Sequence, residues 1–309
     1  MTHPLVFDRA LGRRRLARAA ALEPADFLLE RTAEDLAERV ATVKRAFAQA
    51  LDLGTATDAV ARALCDPLLW PPGSEGGIGA LYRAAPLARS RNDGASATPV
   101  PLVVADEEAL PFADASLDLV VSALALQSVN DLPGAFAQIR RALRPDGLFL
   151  AAMIGGASLS ELREAFAIAE SEITGGISPR VAPFVDVREL GGLLQRAGFA
   201  LPVTDVDRIT VRYGTPFALF SDLRRMGASN TLVERRRVPL RRATLLRAAE
   251  IYAEQYSDPD GRVRATFEIV WLSGWAPHES QQKPLKPGSA KMRLADALGV
   301  REENGSEQP

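Results

Sequence analysis

The 309-residue sequence carries 37 Lys and Arg against 39 Asp and Glu, and 47% of it is apolar. This balance excludes wholesale disorder, and a formal charge of -2 gives no overall field to draw the chain onto nucleic acid. The single cysteine, Cys65, excludes an intrachain disulfide and any cysteine-rich metal centre.

In chain order, a short helix is expected around Leu11 to Ala20, carrying the cluster Arg13-Arg14-Arg15. A longer helix follows from Pro24 to Gln49, with Leu28, Leu36, Val40, Val43 and Phe47 on one face. No apolar stretch here or later reaches the roughly 18 residues needed to span a membrane, and the N-terminus lacks a hydrophobic signal core. A cytoplasmic location is the expectation.

The segment AQALDLG, Ala48 to Gly54, reads as a strand that turns into a helix from Asp58 to Leu64, with Asp58 at the capping position. Prolines and glycines from Pro67 to Gly77 separate this unit from a second strand at Ile78 to Tyr82. Residues 88–101 have no apolar period and read as loop or a short irregular helix. A third strand follows at Leu102 to Ala105, and Asp106 ends it. The apolar run at Leu117 to Ser122 suits a central parallel strand covered on both faces. Asp131 to Leu143 is then helical, and Arg144-Pro145-Asp146-Gly147 is expected as a turn into the strand Leu148 to Met153.

Helices are expected at Leu159 to Thr174 and Val187 to Ala197, the latter closing at Gly198. Strands at Val203 to Tyr213 and Ala265 to Ser273 bracket helices at Pro216 to Met226 and Leu240 to Gln255. Alternating strands and helices imply an α/β fold with a mostly parallel central sheet and an antiparallel end strand contributed beyond Gly198.

Two constellations carry chemistry. In LDLGTATDAVARAL, Gly54 permits close approach of a ligand to the strand-to-helix turn, whereas Ala56 and Asp58 stand where such loops often use glycine. In VVADEEALPFADASLDLVV, Asp106 and Glu107 lie at a strand's C-terminal end, the edge where open α/β sheets bind ligands. Gly54 and Asp106 are expected on one rim, with Asp106 directed at an adenosine ligand and Glu107 contributing chiefly its backbone N–H. His278, within WLSGWAPHESQQKP, reads either as a pocket residue or as a half-exposed loop histidine. The two histidines, His3 and His278, exclude a three-histidine zinc site, and no metal site is expected from local motifs.

The order LDLG, LPFADASLDLVVSALALQSVNDLPGAFAQIRRALRPDGLFLAAMIGG and FVDVRELGGLLQRAGFALPVTD resembles the class I S-adenosylmethionine-dependent methyltransferases. The phrases SVNDLPGAF, RALRPDGLFL and WLSGWAPHESQQKPLKPGSAKMRLADAL more closely resemble the complex I assembly factor 5 family, which is related to bacterial biotin-synthesis methyltransferases. The resemblance implies a Rossmann-like methyltransferase fold with N-terminal helices and a helical insertion. The expected division is a helical cap over 1–47, a methyltransferase-like domain over 48–277 with its insertion at about 214–260, and an extension over 278–309.

Carried over residue by residue, the resemblance implies S-adenosylmethionine contacts at Asp52, Gly54, Ala56 and Asp58 on the first loop. Asp106 and Glu107 fall on the adenine side, and Ala123 and Leu124 on the strand edge beside the cofactor. No catalytic residue is implied. This chain departs from the family's pattern in having DLGTATD for a DLGxGxG loop, Gln127 for a histidine, and no acid in ALYRAAPLARSR for the ribose hydroxyls. Three functions remain open: methyl transfer to a protein or small molecule, arginine hydroxylation during respiratory complex I assembly, and ligand binding without catalysis. The expected partner is a respiratory NADH dehydrogenase subunit or another protein substrate. The Arg clusters at 13–15, 224–225, 235–237 and 241–242, with Trp271, Trp275, His278 and the Lys283 to Lys291 segment, are expected to recognise it.

Overall fold

The computed structural model describes residues 5–87 and 100–282. The chain falls into two units, Met1–Pro277 and His278–Pro309. Most of the segment expected as loop at 88–101, and all of Lys283 to Lys291, lie outside the described residues.

The first unit is built on seven strands in the order β3-β2-β1-β4-β5-β7-β6. These are β1 (Ala46–Leu53), β2 (Gly77–Ala85), β3 (Leu102–Val104), β4 (Leu117–Ala123), β5 (Leu143–Ile154), β6 (Ala200–Tyr213) and β7 (Val263–Trp275). The pairings among β1 to β5 are all parallel, while β7 runs antiparallel to both β5 and β6 at one end of the sheet. The parallel core therefore presents the C-terminal ends of β1 to β5 along one rim.

The helices are α1 (Arg9–Ala19), α2 (Phe27–Thr42), α3 (Ala59–Leu64), α4 (Leu132–Ala142), α5 (Ser160–Thr174), α6 (Val187–Arg196), α7 (Pro216–Arg225) and α8 (Arg242–Tyr256). Residues Leu119, Val121 and Ala123 of β4 pack into a core shared with α2, α3, α5 and α8. Leu117 and Val120 face the opposite core, with Phe136 and Ile139 of α4 and Leu190 and Leu194 of α6. Burial on both faces explains why β4 reads as an almost unbroken apolar run.

Three local expectations are corrected. The helix expected to reach Gln49 ends at Thr42, because Lys44 takes a φ of 52° and breaks the helical path, and Phe47 then packs from β1 into the core. Arg144 to Gly147 is not a turn before β5 but part of it. Leu143 already pairs with Leu117, and Asp146 and Gly147 exchange backbone hydrogen bonds with Ala276 while Asp146 sits at φ 64°. Trp271 is 3% exposed and belongs to the core, with the Arg39 guanidinium 4.3 Å from its ring centroid, so it is not available on a partner-facing patch.

Candidate functional site

Gly54 follows β1 with a φ of 79°, a conformation costly for any residue with a Cβ. Its N–H donates to the Ala84 carbonyl at 2.6 Å, and an added Cβ would lie 2.8 Å from the Ala125 Cβ. The turn that glycines would otherwise shape is fixed here by buried polar side chains. Asp52, 1% exposed, accepts a hydrogen bond from the Thr55 hydroxyl and lies 3.6 Å from the Arg83 guanidinium. Arg83 also donates to the Thr57 carbonyl at 2.7 Å. Burial pushes the Asp52 carboxyl up to about 6, against the opposing pull of Thr55 and Arg83.

A cavity of about 880 Å³ opens above this turn. Its wall includes Gly54, Ala56, Thr57, Glu107, Ala123 and Leu124. Of the residues singled out from sequence, Asp52, Asp58 and Asp106 are not on its wall. Asp52 supports the turn from below, and Asp58, also buried, pairs with Arg62 at 2.9 Å instead of capping α3 with its side chain. Gly54 and Asp106 do follow parallel strands on one rim.

Of the two acids after β3, Glu107 and not Asp106 lines the cavity. The Asp106 carboxylate is occupied by Arg9 at 2.6 Å, by Arg13 and by the Glu108 backbone N–H at 2.9 Å. Glu107 is buried on the cavity wall, where it also meets Arg9. Its carboxyl is held above the usual range because burial outweighs the attraction of that guanidinium. Asp106 thus fastens α1 to the rim, and Glu107 faces the ligand space.

The contacts that hold the N-terminal helix over the cavity are the part that sequence reasoning missed. The backbone N–H groups of Val6 and Phe7 donate to Asn130 Oδ1 at 2.9 and 2.8 Å, and Asp8 pairs with Arg235 at 3.0 Å. These contacts lay Phe7, Arg9, Gly12, Arg13 and Leu16 along the cavity. The only signal was the phrase FDR before the Arg cluster, which composition alone reads as solvated surface. The other end of the cavity is apolar, formed by Ile154, Leu162, Phe166, Phe217, Phe220 and Phe267. Helix α7 contributes to it through Phe217 and Phe220, α8 through Leu245, and the segment before α8 through Leu240. Two wall residues other than glycine, Leu124 and Leu159, hold positive φ values of 50° and 53°. Such strain concentrates where a fold shapes a site.

At the end of β2, where an acid would meet ribose hydroxyls, the chain has buried Ala85, followed by Pro86 and Leu87 on the wall. Gln127 is on the wall too, its amide donating to the Leu124 carbonyl at 2.6 Å. His278, in the second unit, is exposed, with Nδ1 2.7 Å from Ser280 Oγ. Among the described residues, no group of three or more His, Cys, Asp or Glu side chains is placed to hold a metal ion. No described helix is long and apolar enough to cross a membrane.

Comparison with known proteins gives the geometry its context. A family model described as a methyltransferase domain matches residues 51–151, the stretch from β1 into β5. The human mitochondrial arginine-hydroxylase NDUFAF5 is 42% identical over 296 residues, covering 94% of this chain and 83% of that protein. The malonyl-[acyl-carrier protein] O-methyltransferase of Laribacter hongkongensis is 35% identical over 298 residues, covering 93% and 96% respectively. Among solved structures, the YcgJ protein of Bacillus subtilis aligns with a TM-score of 0.52 at 12% identity, covering 79% of this chain and 99% of its own, a likeness of fold.

Proposed function

This chain belongs to the class I methyltransferase family that includes the mitochondrial arginine-hydroxylases and the bacterial malonyl-[acyl-carrier protein] O-methyltransferases, and on that premise we propose that it is an S-adenosylmethionine-dependent methyltransferase. The observation that supports this reading is the continuous cavity that joins the Gly54 turn and Glu107 to an apolar chamber. A cavity of about 880 Å³ has room for both a nucleoside cofactor and an acceptor.

The residues present leave room for the cofactor, with altered contacts at the DLGTATD loop and at the ribose. Gly54, Ala56 and Thr57 would hold its amino-acid half, and Glu107, Ala123 and Leu124 its adenosine. The ribose would meet Pro86 and Leu87 in place of a carboxylate. Loss of that carboxylate removes charge-assisted hydrogen bonds of about 1.5–3 kcal/mol each, so weaker binding than in relatives with the acid is expected. When bound, the cofactor supplies an electrophilic methyl group. The chain's own contribution is positional: the aromatic walls of α5 and α7 exclude water, and the strained Leu124 and Leu159 fix the borders within which an acceptor lines up.

Identity to arginine-hydroxylases across 94% of the chain favours a second reading, oxygen transfer to an arginine of a respiratory NADH dehydrogenase subunit during complex I assembly. Within either reading we place the protein in the cytoplasm. We assign the segment before β1 as a cap and about 214–260 as a cavity-covering insertion of the sheet domain that begins with β1.

Calorimetry with S-adenosylmethionine and S-adenosylhomocysteine tests the first reading, and Glu107→Gln is expected to weaken binding about tenfold. Binding of neither at millimolar concentration overturns it and leaves a protein that binds something else. Mass spectrometry of respiratory subunits from cells with and without the protein distinguishes an added methyl group from an added oxygen.

A further inference from the structure

Behind the cavity wall lies a buried ion pair that the proposed chemistry does not use. Asp52 of β1 and Arg83 of β2 are register partners across two parallel strands, 1% and 4% exposed, with Arg83 Nε 3.6 Å from Asp52 Oδ2. We propose that Arg83 is a positioning residue for the cofactor, holding the turn after β1, and through Asp52 the end of β4, where a ligand meets them. The inference rests on the reading of the cavity as an S-adenosylmethionine site.

Two hydrogen-bonded paths lead from the pair to the wall. Arg83 donates to the carbonyl of Thr57, which lines the cavity, at 2.7 Å. Asp52 accepts from the Thr55 hydroxyl, and that hydroxyl accepts from the N–H of Ala123, the wall residue that ends β4, at 3.3 Å. Asp52, Thr55 and Arg83 do not line the cavity themselves, so they act on a ligand only through the backbone they hold. Between Gly54 and α3 the chain runs Thr55, Ala56, Thr57, Asp58 with no second glycine, and a side chain reaching over from β2 fixes the path of that turn.

Stability alone does not account for such a pair. Withdrawing both charges from water is costly, and apolar side chains of similar volume fill the same space at least as well, so the pair's contribution is the geometry it fixes. The planar guanidinium suits this role because one rigid fork serves the Asp52 carboxylate and the Thr57 carbonyl together. At 3.6 Å the contact with Asp52 is an attraction between charges and not a hydrogen bond, so it depends on Asp52 being ionised. Burial carries that carboxyl up to about 6, against the pull of Thr55 and Arg83 and with a further push from Asp58. Protonation of Asp52 therefore releases Arg83, and with it the turn, in mildly acidic solution.

The test is calorimetry of the full chain with S-adenosylhomocysteine. R83M is expected to lower affinity at neutral pH about tenfold, and R83K, which keeps the charge but not the fork, by less. D52N/R83M removes both charges together, so its melting temperature should recover much of what either single variant loses while its affinity stays low. A merely structural pair would recover both. The pH profile is taken in the E107Q background, where the buried wall acid whose carboxyl is also raised no longer titrates. Between pH 7 and pH 5 the ionised fraction of Asp52 falls from about nine-tenths to about one-tenth, so affinity should fall about tenfold, and D52N/E107Q should show no such fall. If R83M does not fold, this profile decides the matter. Parent-like affinity in R83M or D52N/R83M, or a flat profile in E107Q, overturns the inference alone. Failure of the parent chain to bind S-adenosylhomocysteine overturns the cofactor reading and the inference with it.

Discussion

Arg9, at the start of α1, reaches across 98 residues of sequence to Glu107 and divides its guanidinium between that buried carboxylate and its neighbours, Asp106 at 2.6 Å and Glu108 at 3.0 Å. One side chain therefore closes the roof over the cavity and compensates the buried acid on its wall.

Arg9→Ala is expected to destabilise the protein by about 3 kcal/mol, since it strands a carboxylate that is nearly sealed from water. Glu107 should then titrate still higher than it does beside the guanidinium. Thermal unfolding of R9A, with the companion R9A/E107Q recovering part of the loss, checks this; an unchanged melting temperature would count against it.

Gly54→Ala places a Cβ at a φ of 79° and 2.8 Å from the Ala125 Cβ. A cost of about 1–3 kcal/mol is expected, together with lost affinity for S-adenosylhomocysteine as the turn shifts. Denaturant unfolding and calorimetry on the same preparation measure both effects.

The Asp52 carboxyl, raised from 3.8 to about 6, binds a proton more readily folded than unfolded. Its neutral form therefore contributes stability at low pH that is lost as pH rises from about 4 through 6. Asp52→Asn should be less stable near neutrality, because Arg83 loses its buried counter-charge, but should lack this downward slope. Melting temperatures of both proteins across that range show whether the slope belongs to Asp52.

Ala85→Asp places a carboxylate at the end of β2, beside Pro86 and Leu87 on the wall. If ribose hydroxyls lie there, affinity for S-adenosylhomocysteine should rise about tenfold, with a smaller gain for the 2′,3′-dideoxy analogue. Equal gains for both ligands would show that the new charge acts without contacting the ribose.

The sheet was legible because its signals are local. The continuous apolar run of β4 and the DLG turn after β1 follow from burial and backbone conformation that neighbouring residues determine. That Glu107 and not Asp106 lines the cavity was not legible. A strand end fixes where two consecutive acids lie but not which is claimed by an arginine from a distant helix. Arg144 to Gly147 misled for a related reason: Pro, Asp and Gly in sequence favour a turn, and only pairing with Ala276, more than a hundred residues later, draws them into a strand. Arg83 follows the expected strand Ile78 to Tyr82 with no local signal of burial, yet it is 4% exposed and braces the turn after β1.

The place of β7 between β5 and β6 also sets a timetable for synthesis. Among the described strands β6 pairs only with β7, which begins at Val263, 50 residues after β6 ends at Tyr213. At roughly 5–20 residues per second on the ribosome, β6 waits for about 3–10 seconds without its hydrogen-bonding neighbour, and β5 waits longer with one edge open. Through that interval Val203 and Val206 lie on an unpaired strand, where another nascent chain has an opportunity to pair with it. Asp205, Arg208 and Arg212, spaced along the same strand, discourage such pairing while the proper neighbour is still being made.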